Sequence, residues 1–174
     1  MAKYKRVTRN RVDQASDPAF LKYAAHVFNS VRHETSMVEH VALELCGKVG
    51  ALENEIMIDD KSDLTESLVQ VARYIVWYAN IAGAKVINLH PGGYTNYMTA
   101  LQACACALAG HASSKVYFKN RTGGGGLNAE FVGDRLSRMW GVLERISLKL
   151  LEEPWSAVLE RNSVSNKKVG AVTL

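Results

Sequence analysis

Apolar positions along this chain recur every three to four residues, from Phe20 to beyond Trp155, and nowhere settle into strict alternation. That period belongs to the α-helix. Phe20, Ala24, Val27, Phe28 and Val31 trace a stripe over residues 18–32, preceded by Ser16-Asp17-Pro18. A capping side chain followed by proline near the first helical position is a helix start. Val38, Val41, Leu45, Val49 and Leu52 trace a second stripe reaching about Met57, opened by the capping box Ser36 to Glu39. Asp59–Ser62 reads as a turn, and Asp63 to Glu66 repeats the capping signature. A third helix follows to Ala82, with Leu64, Leu68, Val71, Ile75 and Tyr78 on one stripe and Val69, Ala72, Val76 and Ala79 beside it. Apolar cover over more than half the circumference predicts a central helix. Gly83 is its expected stop.

Residues 88–94 read as loop, and a fourth helix is predicted from about Thr95 to Phe118. Its middle, ALQACACALAGHASS, consists mainly of small residues, which predicts close helix–helix contact. Gly47 and Gly50 inside the second helix predict close approach of a helix or ligand, since an interior glycine costs up to ~1 kcal/mol against alanine. Thr122–Gly126 is the expected flexible link. The fifth helix is expected over 128–152, with Phe131, Val132, Leu136, Met139, Trp140, Leu143, Ile146 and Leu150 facing inward, before Pro154 interrupts it. A short helix, 155–162, leads into a polar tail. The pattern predicts an all-α bundle of about five main helices, with a four-helix core built from two helical hairpins. The expected organisation is a basic flexible arm (1–15), one all-α domain (16–164) and a polar tail (165–174). The offset from 47 to 110, 63 residues, also relates Trp77 to Trp140, Ala42 to Ala105 and Leu45 to Leu108. A duplicated hairpin and coincidence both account for these four identities.

The 174 residues suffice for one domain with a sizeable core. No apolar run approaches the ~20 residues that span a bilayer, and the first residues, MAKYKRVTRNR, lack the apolar segment of a secretory signal. Three cysteines, Cys46, Cys104 and Cys106, without CxxC spacing, point to reduced thiols and a cytoplasmic setting. The net charge of +4 is uneven. Lys3, Lys5, Arg6, Arg9 and Arg11 place five cations, and no acid, in the first eleven residues, leaving the remainder at −1. Such an arm suits either nucleic-acid phosphates or a solvated terminus.

Several segments carry a family resemblance. Leu45-Cys46-Gly47-Lys48-Val49-Gly50-Ala51-Leu52 resembles the LAGEAGEV segment of the MazG-like, all-α nucleoside triphosphate pyrophosphohydrolases, and Leu108–Ser114 resembles it again. Val76-Trp77-Tyr78-Ala79 resembles the LWYLA that follows the family's second acidic motif. Gly133-Asp134 is similar to its later GD, and Ala157–Asn162, followed by Lys167 and Lys168, to its C-terminal EVxxxN and basic stretch. The resemblance implies Mg²⁺ held by facing ExxE and ExxD carboxylates, and release of pyrophosphate by a metal-activated water.

The acids themselves are largely missing. The first ExxE falls on Lys48 and Ala51, its second copy on His111 and Ser114, and the acid three residues before Trp77 falls on Tyr74. Asp134 matches an acidic position, with Phe131 three residues before it and Glu130 one turn away. The resemblance therefore implies a degenerate site, with Lys48, His111, Glu130 and Asp134 lining a nucleotide cleft. Lys48 is either a metal-free phosphate partner or a plain surface lysine. Mg²⁺ enters only if an acidic site is rebuilt, for which Glu53, Glu55, Asp59, Asp60, Asp63 and Glu66 are the nearest cluster; a solvated helix tip is the alternative. His33, His40 and Glu44 share a face only if the first two helices are continuous. Lys119-Asn120-Arg121 precedes the glycines without P-loop order and reads as connection. The expected function is nucleotide binding or sequestration. The alternative is a non-enzymatic helical protein, oligomerising or nucleic-acid-binding and of a kind found in viruses, that uses the basic arm. A homo-oligomer and no membrane association are expected on either reading.

Overall fold

A computed structural model describes residues 16–30, 38–58, 61–89, 96–122 and 127–169. Six α-helices and one π-helical turn make up the fold: α1 (Pro18–Ser30), α2 (Val38–Ile58), α3 (Lys61–Ala82), α4 (Tyr97–Thr122), α5 (Ala129–Ile146), the π-helix Ser147–Leu151, and α6 (Trp155–Val169). No strand occurs among the described residues, and the chain is an all-α bundle. The basic arm, the capping Ser36, His33, Asp59-Asp60, residues 90–94 of the expected loop and the glycine run lie outside the described residues.

The core is the expected pair of hairpins. α2 packs on α3, and α4 on α5; α2 also packs on α4, and α3 on α5. Helices related by the 63-residue offset are therefore neighbours. Leu45 and Leu108 are both fully buried, as are Ala42 and Ala105, whereas Trp140 is buried and its counterpart Trp77 half-buried. α3 takes the central position its apolar circumference predicts, touching α1, α2, α5, α6 and the π-helix. It begins at Lys61, so Lys61 and Ser62 belong to the helix and Asp63 sits inside its first turn. α1 and α6 close one side around Trp140, whose ring meets Phe20 edge-on at 5.1 Å and Trp155 at 5.6 Å.

Four boundaries and contacts differ from expectation. α5 ends at Ile146 and continues as a π-helix, capped at Glu152 with φ 58°. α6 runs through Val169, so the first part of the expected tail is helical. Lys119-Asn120-Arg121 lies within α4 rather than in a loop. Gly47 and Gly50 are exposed, and a Cβ built on either meets nothing within 4 Å. The close approach predicted for them lies instead on α5. A Cβ on Gly133 would come within 2.6 Å of the Lys85 carbonyl oxygen, and one on Gly141 within 2.0 Å of that of Leu89. Between them, the Ser137 hydroxyl accepts from the Ile87 N–H at 3.0 Å. Gly133, Ser137 and Gly141 are spaced four residues apart and so share one helix face, along which the irregular segment 84–89 is laid.

That segment replaces a hairpin turn between α3 and α4. It leaves α3 through Gly83, whose φ of 62° suits glycine. Val86 ties it to the start of α1: its N–H donates to the Ser16 hydroxyl at 2.9 Å, and its carbonyl accepts from the Asp17 N–H at 2.7 Å. The Asp17 carboxylate accepts from the Phe20 N–H at 3.0 Å, as an N-cap does.

Candidate functional site

The two hairpins each carry one set of the residues singled out by sequence. On the first, Glu44 and Lys48 stand one turn apart on α2 and face Tyr74 and Trp77 of α3. The Lys48 ammonium lies 5.9 Å from the centre of the Tyr74 ring, within cation–π range. Tyr74 meets Trp77 edge-on at 4.8 Å. Burial, and then the hydrogen-bonded Glu44 carboxylate, raise the Tyr74 phenol above its ordinary range, with Arg73 opposing them. All five side chains are half-buried. Two of the positions where the resemblance calls for carboxylates, 48 and 74, are thus in contact, holding a cation against a ring.

On the second hairpin, His111 of α4 meets the start of α5. Its Nε2 accepts from the Asn128 N–H at 3.2 Å, and its ring lies 4.8 Å from that of Phe131. Asn128 caps α5 in turn, its side chain accepting from the Phe131 N–H at 3.0 Å. The Arg135 guanidinium covers Phe131 at 5.2 Å. Asp134 is held by Arg138 one turn on, through Nε at 3.1 and 3.3 Å and through the terminal nitrogen at 3.1 Å, with Arg135 at 3.7 Å. Glu130 is exposed in the first turn of α5, where a carboxylate complements the helix dipole. His111 and Phe131 are brought together, Asp134 is held by Arg138 and Arg135 further along α5, and Lys48 belongs to the other hairpin.

These residues do not fit a Mg²⁺ site. Mg²⁺ needs several oxygen ligands, while the acidic positions hold Lys48, Ala51, Tyr74 and His111, and Asp134 is already bound by guanidinium groups. Among the described residues, no group of three or more His, Cys, Asp or Glu could hold a metal ion, which includes the described part of the acidic cluster and the His40–Glu44 pair.

Some features were not legible beforehand. Glu44 pairs with Tyr74 because α2 and α3 are antiparallel, which spacing within one helix cannot reveal. Cys46 is half-buried and Cys106 exposed; they touch across α2 and α4, and burial followed by that contact raises the Cys46 thiol. Cys104 is buried, and burial raises its thiol too. A groove of about 230 Å³ between α1 and α6 is lined by Tyr23, His26, Ser156 and Leu159 and by the ion-paired Lys22 and Glu160. No described helix is long and apolar enough to cross a membrane. No family model, curated protein or solved structure matches the chain.

Proposed function

We propose that the chain is a non-catalytic, metal-free binder of a nucleotide or nucleoside phosphate, a degenerate relative of the MazG-like pyrophosphohydrolases that sequesters its ligand rather than cleaving it. The observation that carries this reading is the Lys48–Tyr74 contact. A hydrolase of that type gathers carboxylates around a metal; this chain sets the Lys48 ammonium against the Tyr74 ring, with Trp77 beside it and Glu44 bonded to the Tyr74 phenol. A lysine ammonium pairs with phosphate without a metal, and half-buried aromatic rings offer faces and edges to a base. His111, Glu130 and Asp134 frame the second hairpin and take no direct part in phosphate binding on this reading, because Asp134 is neutralised internally and His111 is engaged at the start of α5.

Thermal melting with a panel of nucleoside mono-, di- and triphosphates tests the proposal. A rise in Tm that is graded by phosphate number and reduced in Lys48→Ala is expected. A charged hydrogen bond of ~1.5–3 kcal/mol makes that variant roughly 10- to 100-fold weaker. No shift with any nucleotide contradicts the proposal.

A second reading rests on charge. Five cations without an acid in the first eleven residues suit nucleic-acid phosphates. Salt-dependent RNA or DNA binding that disappears on deleting residues 1–12 is its expected signature; binding unchanged by the deletion removes the arm from consideration.

A further inference from the structure

We infer that the outer face of α2 and α4 is the surface on which two copies of this chain pair. The face is independent of the nucleotide reading, and its starting point is charge. Charged residues make up 22% of the chain. Yet of the fourteen exposed positions described on α2 and α4, none is Asp, Glu, Lys or Arg. The other helices behave as solvated helices do: Lys22 on α1, Lys61, Asp63 and Glu66 on α3, Glu130 on α5, and Glu160 and Arg161 on α6 are exposed charges. A helix facing water normally carries charge there.

The two strips lie side by side and antiparallel. Gln102 of α4 donates to Glu53 of α2 at 2.5 Å, and Cys106, one turn further along α4, meets Cys46, two turns back along α2. The α2 strip is relief. Leu43 is 65% exposed, Met57 80% and Ile58 70%, and between them Gly47, Gly50 and Ala51 form a flat floor. The α4 strip is flatter, with Thr99, Ala103, Cys106, Gly110 and Ser113 exposed and the exposed Gln102 tied back to Glu53. Such a surface complements itself. A two-fold axis lying in the plane of the face, between α2 and α4 and parallel to them, lays the projecting Leu43, Met57 and Ile58 of each copy over α4 of the other, so that each contact occurs twice.

The glycines supply a separate observation. Gly47, Gly50 and Gly110 each have open space where a Cβ would stand. The monomer's own packing therefore does not require them, although an interior glycine weakens a helix relative to alanine. A second helix lying flat on the face gives them a use. The size also fits. At ~1.5 Å per residue α2 is roughly 30 Å long, and two adjacent helices are ~20 Å wide. The resulting ~600 Å² of projected area is comparable with the ~800 Å² per partner of a standard interface, once side-chain relief is added.

Sedimentation equilibrium of the full chain tests the pairing. The wild type should sediment at twice the monomer mass. Gly47→Glu/Gly110→Glu, which adds side chains where the monomer has room, should sediment as a monomer with undiminished helical circular dichroism, dimerising at least about 100-fold more weakly because four carboxylates are buried in the pair. Ala25→Glu, on the exposed side of α1, should remain dimeric. A monomeric wild type at the highest soluble concentration overturns the inference. So does a Gly47→Glu/Gly110→Glu protein that stays dimeric. Nucleotide binding is scored separately, so failure of one proposal leaves the other readable.

Discussion

Tyr23 illustrates how burial acts on a single titratable group. It is 5% exposed, and its hydroxyl donates to the Val69 carbonyl at 3.3 Å. Burial pushes the phenol up to about 12, and the Arg73 charge only partly opposes that. The unfolded phenol ionises near 10. Between these values the unfolded chain releases a proton that the folded chain retains, so the contribution of Tyr23 is intact below pH ~10 and is lost as pH rises toward 12. Tyr78, which donates to the Leu108 carbonyl at 3.0 Å, is shifted the same way, first by burial. Melting temperature should therefore fall across pH 10–12, and the fall should be shallower in Tyr23→Phe. A profile identical in the variant refutes this assignment. At the same scale, the residue types of the candidate site were readable in the sequence, but their pairings were not. Lys48 and Asp134 stood out because they occupy positions where acids or their neighbours were expected. That Lys48 covers Tyr74, and that Arg138 captures Asp134, depends on which face each helix turns inward.

Among the elements, the helices themselves were legible, because stripes of period 3.6 continue for about four turns in α2 and α3. Gly83 and Pro154 fixed two boundaries in advance. The π-helix was not legible: Ile146, Leu150 and Leu151 continue the apolar pattern with no change of composition, and the widened turn follows from tertiary packing. Glycine was misread for a related reason. Sequence marks an interior glycine as unusual but cannot say whether the space beside it is occupied. On α5, Gly133 and Gly141 seat the 84–89 segment; on α2, Gly47 faces open space. Alanine substitution separates the two cases. Gly141→Ala places a methyl group 2.0 Å from the Leu89 oxygen, and should destabilise by about 3 kcal/mol or more, at the upper end of overpacking costs. Gly47→Ala should stabilise the monomer by up to ~1 kcal/mol. Urea titration of both variants, at protein concentrations where the chain is monomeric, should give opposite signs; equal signs contradict the assignment of space.

At the scale of the whole molecule, two hairpins related by a 63-residue offset form the core, α1 and α6 seal it around Trp140, and the 84–89 strap joins the start of α1 to α5. The candidate polar sites lie at the α2–α3 and α4–α5 contacts, while none of the exposed positions described on α2 and α4 is charged and Glu53 sits half-buried at their seam, bonded to Gln102. This division explains why the fold was the readable part. Burial patterns specify a bundle through dozens of redundant positions, whereas a site depends on a few residues whose replacement leaves the bundle unchanged. Lys48 and Tyr74 stand where the resemblance calls for carboxylates, and the helices around them are intact. Titration calorimetry of the protein with a nucleoside triphosphate, run once in EDTA and once in Mg²⁺, tests the central claim most directly. The account predicts the same affinity in both buffers and no pyrophosphate in the recovered sample. Binding that requires Mg²⁺ and is accompanied by pyrophosphate release would contradict it.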